Sequence, residues 1–177
     1  MSVSLAKSTI ESGGVIAYPT EGVWGLGCDP SNVEAVKKIL CLKSRPIEKG
    51  LILVASHRDQ LGVYIADMPD LPTLDIPTTW LVDHGGRAPD WVTGGSDKVA
   101  VRISAHPVVV GICAALRAAI ISTSANPAGQ PSAMSAAEVK GYFGDDLDAI
   151  IPGELGGSTS ASQIVDWHTK NVIRKAS

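Results

Sequence analysis

The sequence predicts one α/β domain whose sheet mixes parallel and antiparallel strands, with helices flanking it. Strand-like apolar runs alternate with helical patterns through the first two-thirds of the chain, and two strand-like runs lie close together near its end. The chain has 177 residues, 45% of them hydrophobic, which is enough for one buried core. No repeat or linker divides it, so the domain is expected to span residues 1–177.

Capping and breaking residues place the predicted helices. The first, "SLAKSTIESGG", should close at Gly13 and Gly14. The second follows an S-x-x-E capping pattern at Ser31 and Glu34 and must end before Pro46. The other predicted helices lie at 57–64, from Pro107 onward ("PVVVGICAALRA") and from Ser135, where the S-x-x-E pattern recurs.

Short apolar runs rich in β-branched residues predict the strands. These runs are 15–18, 51–55, 79–82, 99–103, 119–123, 150–151, 163–167 and 172–174. The segment after the first strand, with Gly22, Gly25 and Gly27, is expected to be a loop.

The charge is modest overall but unevenly distributed. Fifteen basic and eighteen acidic residues give a formal net charge of -3, so nothing in the total indicates nucleic acid or a membrane surface. One basic cluster stands out within 37–49: Lys37, Lys38, Lys43, Arg45 and Lys49.

Cysteine usage and hydropathy favour a cytoplasmic protein. Cys28, Cys41 and Cys113 are widely spaced and form no disulfide pattern, which is typical of a reducing compartment. The longest apolar run, 108–116, is too short to cross a bilayer, and no signal segment is apparent.

The common catalytic motifs are absent. There is no P-loop, and the glycine order G-x-x-G-x-G is the reverse of the dinucleotide fingerprint. The four histidines share no metal-binding spacing, and no serine stands in G-x-S-x-G. Neither a protein-bound metal nor a covalent nucleophile is predicted.

Three polar segments at the ends of apolar elements remain: 19–21 with its glycines, 43–49 and 122–126. In open α/β sheets ligands bind beyond the carboxyl ends of strands, where hydroxyls can orient a polar ligand and Lys or Arg can neutralise phosphate. Arg102 lies within an apolar strand, where it needs a partner or a ligand. Together these features predict an anion-binding crevice.

At these residues the sequence closely resembles the YrdC/TsaC family of threonylcarbamoyl-AMP synthases. The matching segments are "AYPTEGVWGLGCDP", "LKSRPIEKGLILVA", "VAVRISAHP", "STSANPAGQPSA" and "SQIVD…VIR". The resemblance implies a YrdC-like domain around a positively charged concave cavity. It also implies synthesis of threonylcarbamoyl-AMP and pyrophosphate from L-threonine, bicarbonate and ATP, for modification of a tRNA adenosine beside the anticodon.

The resemblance also implies roles for individual residues. Threonine would be bound by Thr20, Arg102, Ser122 and Ser162. The nucleotide would be bound by Arg45, Lys49, Ser124, Asn126, Ser132 and Arg174, with Lys43 and Arg45 the catalytic pair that carries phosphate charge. Mg²⁺ would accompany ATP, and proteins that transfer the threonylcarbamoyl group to tRNA would be downstream partners.

The sequence departs from the family pattern in three places, one of which is the end of the chain, where Lys175 and Ala176 follow the final arginine and the expected glycine is missing. Residues 74–79 keep only one proline and the threonine of an aromatic-Pro-Gly-Pro-x-Thr segment. Lys98 stands where relatives often carry a small hydroxyl residue.

Two other functions remain open at this point. A non-catalytic RNA-binding module could use the same basic cavity, since phosphate contacts need only Lys and Arg. A related carbamoyl-transfer domain could act on another acceptor, as such domains do in larger hydrogenase-maturation proteins.

Overall fold

In the computed structural model, which describes residues 2–72, 74, 76–158 and 161–176, the strands join into one mixed sheet. Asp75, in the departing segment 74–79, lies outside the described residues. The strands are β1 Ile16–Pro19, β2 Trp24–Gly27, β3 Ile52–Ala55, β4 Thr78–Asp83, β5 Lys98–Ile103, β6 Ile120–Ser124, β7 Ala149–Ile150, β8 Gln163–Asp166 and β9 Val172–Arg174.

The strand order is β7-β1-β2-β6-β3-β5-β4-β8-β9. Three neighbouring pairs are parallel: β1 with β7, β3 with β5, and β4 with β8. The other pairs are antiparallel. The predicted mixed sheet is confirmed.

The helices are α1 Ser2–Glu11, α2 Val33–Leu42, α3 Asp90–Thr93, α4 Pro107–Leu116 and α5 Ala136–Phe143. Three-residue or four-residue 3-10 turns lie at Ile47–Lys49, Arg58–Leu61 and Gly144–Asp146. The helix expected over 57–64 is therefore only a 3-10 turn, and the short α3 was not predicted. No helix in the described ranges has both the length and the apolar character needed to span a bilayer.

The capping predictions have mixed outcomes. The pattern at Ser31 is wrong, because Asn32 caps α2 by accepting hydrogen bonds from the backbone N–H groups of Glu34 and Ala35. Ser31 instead donates its hydroxyl to Asp29. The Ser135 cap is confirmed, since its hydroxyl accepts from the Glu138 backbone at 3.2 Å.

The segment predicted as a glycine loop is partly a strand. Residues Trp24–Gly27 form β2, which pairs with both β1 and β6 and is fully buried. A side chain at Gly27 would place its Cβ 2.7 Å from the Ile121 carbonyl oxygen and 2.8 Å from the Tyr18 ring. Glycine is used here because β6 and Tyr18 come too close to leave room for a side chain.

The two faces of the sheet differ in what covers them. Along β3, Leu53 joins the apolar cluster beneath α2, whereas Val54 joins a second cluster beneath α1 and α4. Ile121 and Ile120 alternate in the same way along β6. Helices therefore lie on both faces, but α1 and α4 cover only part of theirs.

Candidate functional site

A cavity of about 750 Å³ lies on the part of the sheet face that α1 and α4 leave open. Its floor includes alternate residues of central strands, such as Lys98, Ala100 and Arg102 on β5. Register places Ile52 directly beside both Ala100 and Ser122. The sequence predicted a ligand crevice beyond the strand ends. The structure instead places most of the cavity on the face of the sheet, where every second side chain of a strand projects to the same side.

Nearly all of the residues singled out from the sequence line this cavity. They are Thr20, Arg45, Lys49, Arg102, Ser122, Ser124, Ser132, Ser162 and Arg174. The exceptions are Lys43 and Asn126. The charged side chains in the lining are Arg45, Glu48, Lys49, Lys98, Arg102 and Arg174, five cationic and one anionic.

Thr20 lies immediately after β1 and is almost fully buried. Its hydroxyl donates to the Val23 carbonyl at 2.7 Å, and its backbone N–H donates to the same oxygen at 3.1 Å. This turn fixes the side chain against the cavity. The hydroxyl proton is used in this bond, so the oxygen can interact with a further group only as an acceptor, through its lone pairs.

Arg102 is paired with a carboxylate that the sequence analysis did not select. Its Nη2 lies 2.9 Å from Oε2 of Glu21, and the exposed fractions of the two side chains are 9% and 20%. The second carboxylate oxygen accepts the Ser104 hydroxyl at 2.5 Å. In the described part of the chain, neither Arg102 Nε nor Glu21 Oε2 has a partner of hydrogen-bond geometry. The P-T-E sequence contained Glu21, but only the tertiary structure shows its partner.

Lys43 lies behind the cavity wall rather than in it. The side chain is 4% exposed, and its ammonium donates to the Ser124 carbonyl and to the backbone and side-chain oxygens of Asn126, the last two at 2.8 and 3.3 Å. Burial, and then the positive charge of Arg45, lower the pKa of Lys43 to about 8. In this structure Lys43 holds the 124–126 segment in place.

Asn126 is also directed into its own loop. Its amide nitrogen donates to the Gln130 carbonyl at 2.7 Å and to the Pro127 carbonyl at 3.2 Å. With Lys43 at the amide oxygen, the side chain shapes the loop that carries Ser124.

Two further arginines converge on the site. Arg45 donates to the Gly50 carbonyl at 2.9 Å and to the Lys49 carbonyl at 3.2 Å. Arg174, on β9, donates to the Ser162 carbonyl at 2.7 Å. Burial, and then the charge of Arg174, lower the pKa of Arg45, while burial, and then the charge of Arg102, lower that of Arg174. The guanidinium groups are thus close enough to disfavour one another's charge, and an anion between them would relieve this repulsion.

The serines of the lining are held by neighbouring hydroxyls or by strand pairing. Ser162 and Thr79 share a hydrogen bond of 2.8 Å between their hydroxyls. Ser124 lies opposite Gly25 in the β2–β6 ladder. Burial first of all raises the pKa of Tyr18 above its ordinary range, and a hydrogen bond with Ser122 lowers it in part.

Lys98 has a partner that the sequence did not reveal. Its ammonium bonds the carboxylate of Asp166 at the end of β8. The same carboxylate accepts the backbone N–H groups of His168 and Thr169. The bond with Lys98, followed by the backbone bond from Thr169, lowers the pKa of Asp166, and the bond with Asp166 raises that of Lys98. The pair ties β5 to the turn that leads into β9.

The described residues contain no group of three or more His, Cys, Asp or Glu side chains arranged to hold a metal ion. Glu48 is the one acidic residue among the described residues of the cavity lining, so this donor set does not fit a divalent cation held by protein carboxylates alone.

Fold and site together define an α/β protein with a cavity on one sheet face that three arginines line. The family model for Sua5, YciO and YrdC, described as "Telomere recombination", matches residues 8–176. The chain belongs to this family.

Relatives with high identity cover nearly the whole chain. Proteins named threonylcarbamoyl-AMP synthase from Pseudomonas paraeruginosa and Pseudomonas aeruginosa are 51% and 52% identical over 177 residues, covering 97% of this chain and 95% of each relative. Among solved structures, P. abyssi Sua5 complexed with L-threonine has a TM-score of 0.85 and 31% identity, and the match covers 94% of this chain and 52% of that one. The chain thus corresponds to about half of that longer protein.

Proposed function

We propose that this protein is a threonylcarbamoyl-AMP synthase, which makes threonylcarbamoyl-AMP and pyrophosphate from L-threonine, bicarbonate and ATP. The observation that carries the proposal is the convergence of the family's separate motifs on one cavity, where hydroxyls and arginines face the same space. The names of the Pseudomonas relatives and the threonine complex of P. abyssi Sua5 support it.

In the proposed reaction the threonine amine forms an N–C bond with carbon dioxide derived from bicarbonate, giving a carbamate with loss of water overall. A carbamate oxygen then attacks the α-phosphorus of ATP, a P–O bond forms, and the bond to the β-phosphate oxygen breaks to release pyrophosphate. Such transfer depends on positioning and charge neutralisation rather than on a protein nucleophile.

The cavity offers suitable groups for both substrates. Arg102 would bind the threonine carboxylate, with the hydroxyls of Thr20, Ser122 and Ser162 near the rest of the amino acid. Arg45 and Arg174 would neutralise phosphate charge.

The remaining nucleotide contacts would come from side chains on the opposite loops. Lys49, Ser124 and Ser132 line the same cavity. Lys43 and Asn126 would act indirectly, by holding the loop that presents Ser124.

Mg²⁺ would enter as part of the substrate MgATP. Magnesium in nucleotide sites is held largely by phosphate oxygens and water, and the phosphates would supply the ligands that the cavity lining lacks. The reaction would take place in the cytoplasm, and its product, a reactive mixed anhydride, would be consumed by a transferase that acts on tRNA.

The basic cluster does not favour the RNA-binding alternative. Lys37 pairs with Glu34 at 2.9 Å and Lys38 pairs with Asp148 at 2.7 Å, while Lys43 is buried. Three of the five cations in this stretch are thus already engaged, so the cluster is not an open phosphate-binding face.

The direct test is pyrophosphate release from MgATP, with threonine and bicarbonate omitted one at a time. We expect release to require both, and Arg45→Ala and Arg102→Ala to abolish most of it. Release that continues without either substrate would contradict the proposed function.

A further inference from the structure

Glu21 lies on the far side of Arg102 from the large cavity. It does not line that cavity but lines a smaller one of about 230 Å³, in whose wall Arg102 also takes part. The Glu21 carboxylate is thus outside the described lining of the large cavity. It contacts that lining through Arg102.

The Glu21 carboxylate is fixed from several directions. Its Oε1 accepts the Ser104 hydroxyl at 2.5 Å, and that hydroxyl accepts the His106 backbone N–H at 3.1 Å. The Ser104 backbone donates to the Ala55 carbonyl at 2.8 Å, which anchors this group to the end of β3. The Glu21 side chain is therefore held by residues that are themselves fixed.

The Glu21 backbone is held as well. Its carbonyl accepts the Ser158 N–H at 2.9 Å, and the Thr20 carbonyl accepts the Gly156 N–H at 3.0 Å. A Cβ on Gly156 would come within 3.0 Å of the Glu21 Cα. The 156–158 segment thus packs closely on the loop that carries both Thr20 and Glu21.

Arg102 forms an ion pair with Glu21, whereas no described ion pair involves Arg45 or Arg174. Besides burial, which is the larger cause, repulsion from Arg174 lowers the pKa of Arg45, and repulsion from Arg102 lowers the pKa of Arg174. Glu21 compensates the charge of Arg102 and contacts its Nη2, while the buried Nε has no partner of hydrogen-bond geometry among the described residues. Since Arg102 also lines the large cavity, its guanidinium is held by Glu21 and is available to a carboxylate in that cavity.

We propose that Glu21, supported by Ser104, is a positioning residue that fixes the Arg102 guanidinium for the carboxylate of the amino-acid substrate. The inference rests on the proposed function for the identity of that substrate. It adds a residue that acts through Arg102, outside the set that contacts threonine or nucleotide.

The test compares Glu21→Gln and Ser104→Ala with the unchanged protein. Glu21→Gln keeps the shape of the side chain but removes its charge, so Arg102 loses its ionic partner. We expect the KM for threonine to rise at least about tenfold, because small displacements of a positioning group weaken productive binding strongly. The KM for ATP should stay within about twofold. Ser104→Ala should change the threonine KM in the same direction by a smaller factor.

Two controls separate positioning from a general structural role. Glu11→Gln removes a carboxylate from the exposed Lys7–Glu11 pair on α1 and should leave both KM values unchanged. Glu21→Asp keeps the charge and should recover part of the threonine affinity. The thermal midpoint of each variant shows whether it is folded.

The opposite result has a clear meaning. If Glu21 only competes with the substrate for Arg102, removing its charge would lower the threonine KM, and that outcome or an unchanged KM overturns the inference.

Threonine binding measured by calorimetry provides a readout that needs no turnover. Binding that weakens in Glu21→Gln, in a protein that releases no pyrophosphate, would reject the proposed function and retain the role of Glu21. No threonine binding by the unchanged protein would reject both.

Discussion

Single residues show how the site depends on groups that do not touch the cavity. Lys43 was selected from the K-x-R sequence as a phosphate-binding candidate, yet its ammonium faces the carbonyls of Ser124 and Asn126. The Ser124 carbonyl also accepts the Asn126 backbone N–H at 3.0 Å, so the lysine matters most for the two oxygens of Asn126, which are partly buried. Lys43 therefore contributes to the site by fixing the shape of the 124–126 loop.

We therefore expect Lys43→Met to lower the free energy of unfolding by roughly 2–3 kcal/mol, because the partly buried backbone and side-chain oxygens of Asn126 lose their charged donor. Urea unfolding followed by circular dichroism measures this. The matched control is Lys37→Met, on the helix that Lys43 directly follows, which breaks an exposed pair with Glu34 and should change stability by less than about 0.5 kcal/mol. Equal losses in the two variants would contradict the loop-holding role.

At this scale, the sequence does not reveal which distant side chains pair with one another. The unusual position of Arg102 in an apolar strand predicted that it needs a partner or a ligand. The protein partner, Glu21, is 81 positions away in the sequence. It can be identified only from the positions of β1 and β5 in the sheet. Asp166, the partner of Lys98, was missed for the same reason.

At the scale of elements, most strands were predictable because they are short apolar runs between turn residues. β2 was not, because the glycines of Trp24–Gly27 resemble a loop when tertiary contacts are unknown. The position of the cavity also depends on tertiary contacts that are unknown from the sequence. The apolar run at 119–123 predicted a strand, but the sequence did not show which face of the sheet α1 and α4 would leave open.

The two glycines of β2 should respond differently to alanine. Gly27→Ala would push a methyl group against the Ile121 carbonyl and the buried Tyr18 ring, at 2.7 and 2.8 Å. Neither neighbour can move easily, so we expect a loss of about 1–3 kcal/mol in the free energy of unfolding.

Gly25→Ala is the matched control within the same strand. Its Cβ would lie 3.4 Å from the Thr123 carbonyl oxygen and 3.5 Å from the Thr20 side chain, which are ordinary contacts. Its stability should change by less than about 1 kcal/mol. Thermal or urea unfolding of both variants measures the difference, and a Gly25→Ala variant less stable than Gly27→Ala would refute the assignment of close approach to β6.

At the scale of the whole molecule, the sheet brings together groups from almost the full length of the chain. Thr20 follows β1 and Arg174 lies on β9, yet both line the same cavity. A ligand in this cavity would contact elements that are distant in the sequence and come together only in the folded state. Each should therefore stabilise the fold by mass action.

If the proposed function holds, threonine and MgATP should each raise the unfolding temperature through different arginines. A ligand at a hundred times its Kd adds about 2.7 kcal/mol, which corresponds to roughly 5–10 °C for a domain of this size. Arg102→Ala should lose the threonine-induced shift and keep the MgATP-induced shift. Arg45→Ala should show the reverse, since its guanidinium lies at the carbonyls of Lys49 and Gly50, away from the pairing of Arg102 with Glu21.

Differential scanning fluorimetry of these variants, with Lys37→Met as a folded control that should keep both shifts, tests whether the cavity has two separable parts. Loss of both shifts in either arginine variant would show instead that the two ligands depend on one shared cluster of charge. The charge of Arg174 contributes, after burial, to lowering the pKa of Arg45, and the charge of Arg102 contributes in the same way for Arg174, which makes that a real alternative. The Glu21 carboxylate argues against it, because it compensates the charge of Arg102 independently of any bound phosphate.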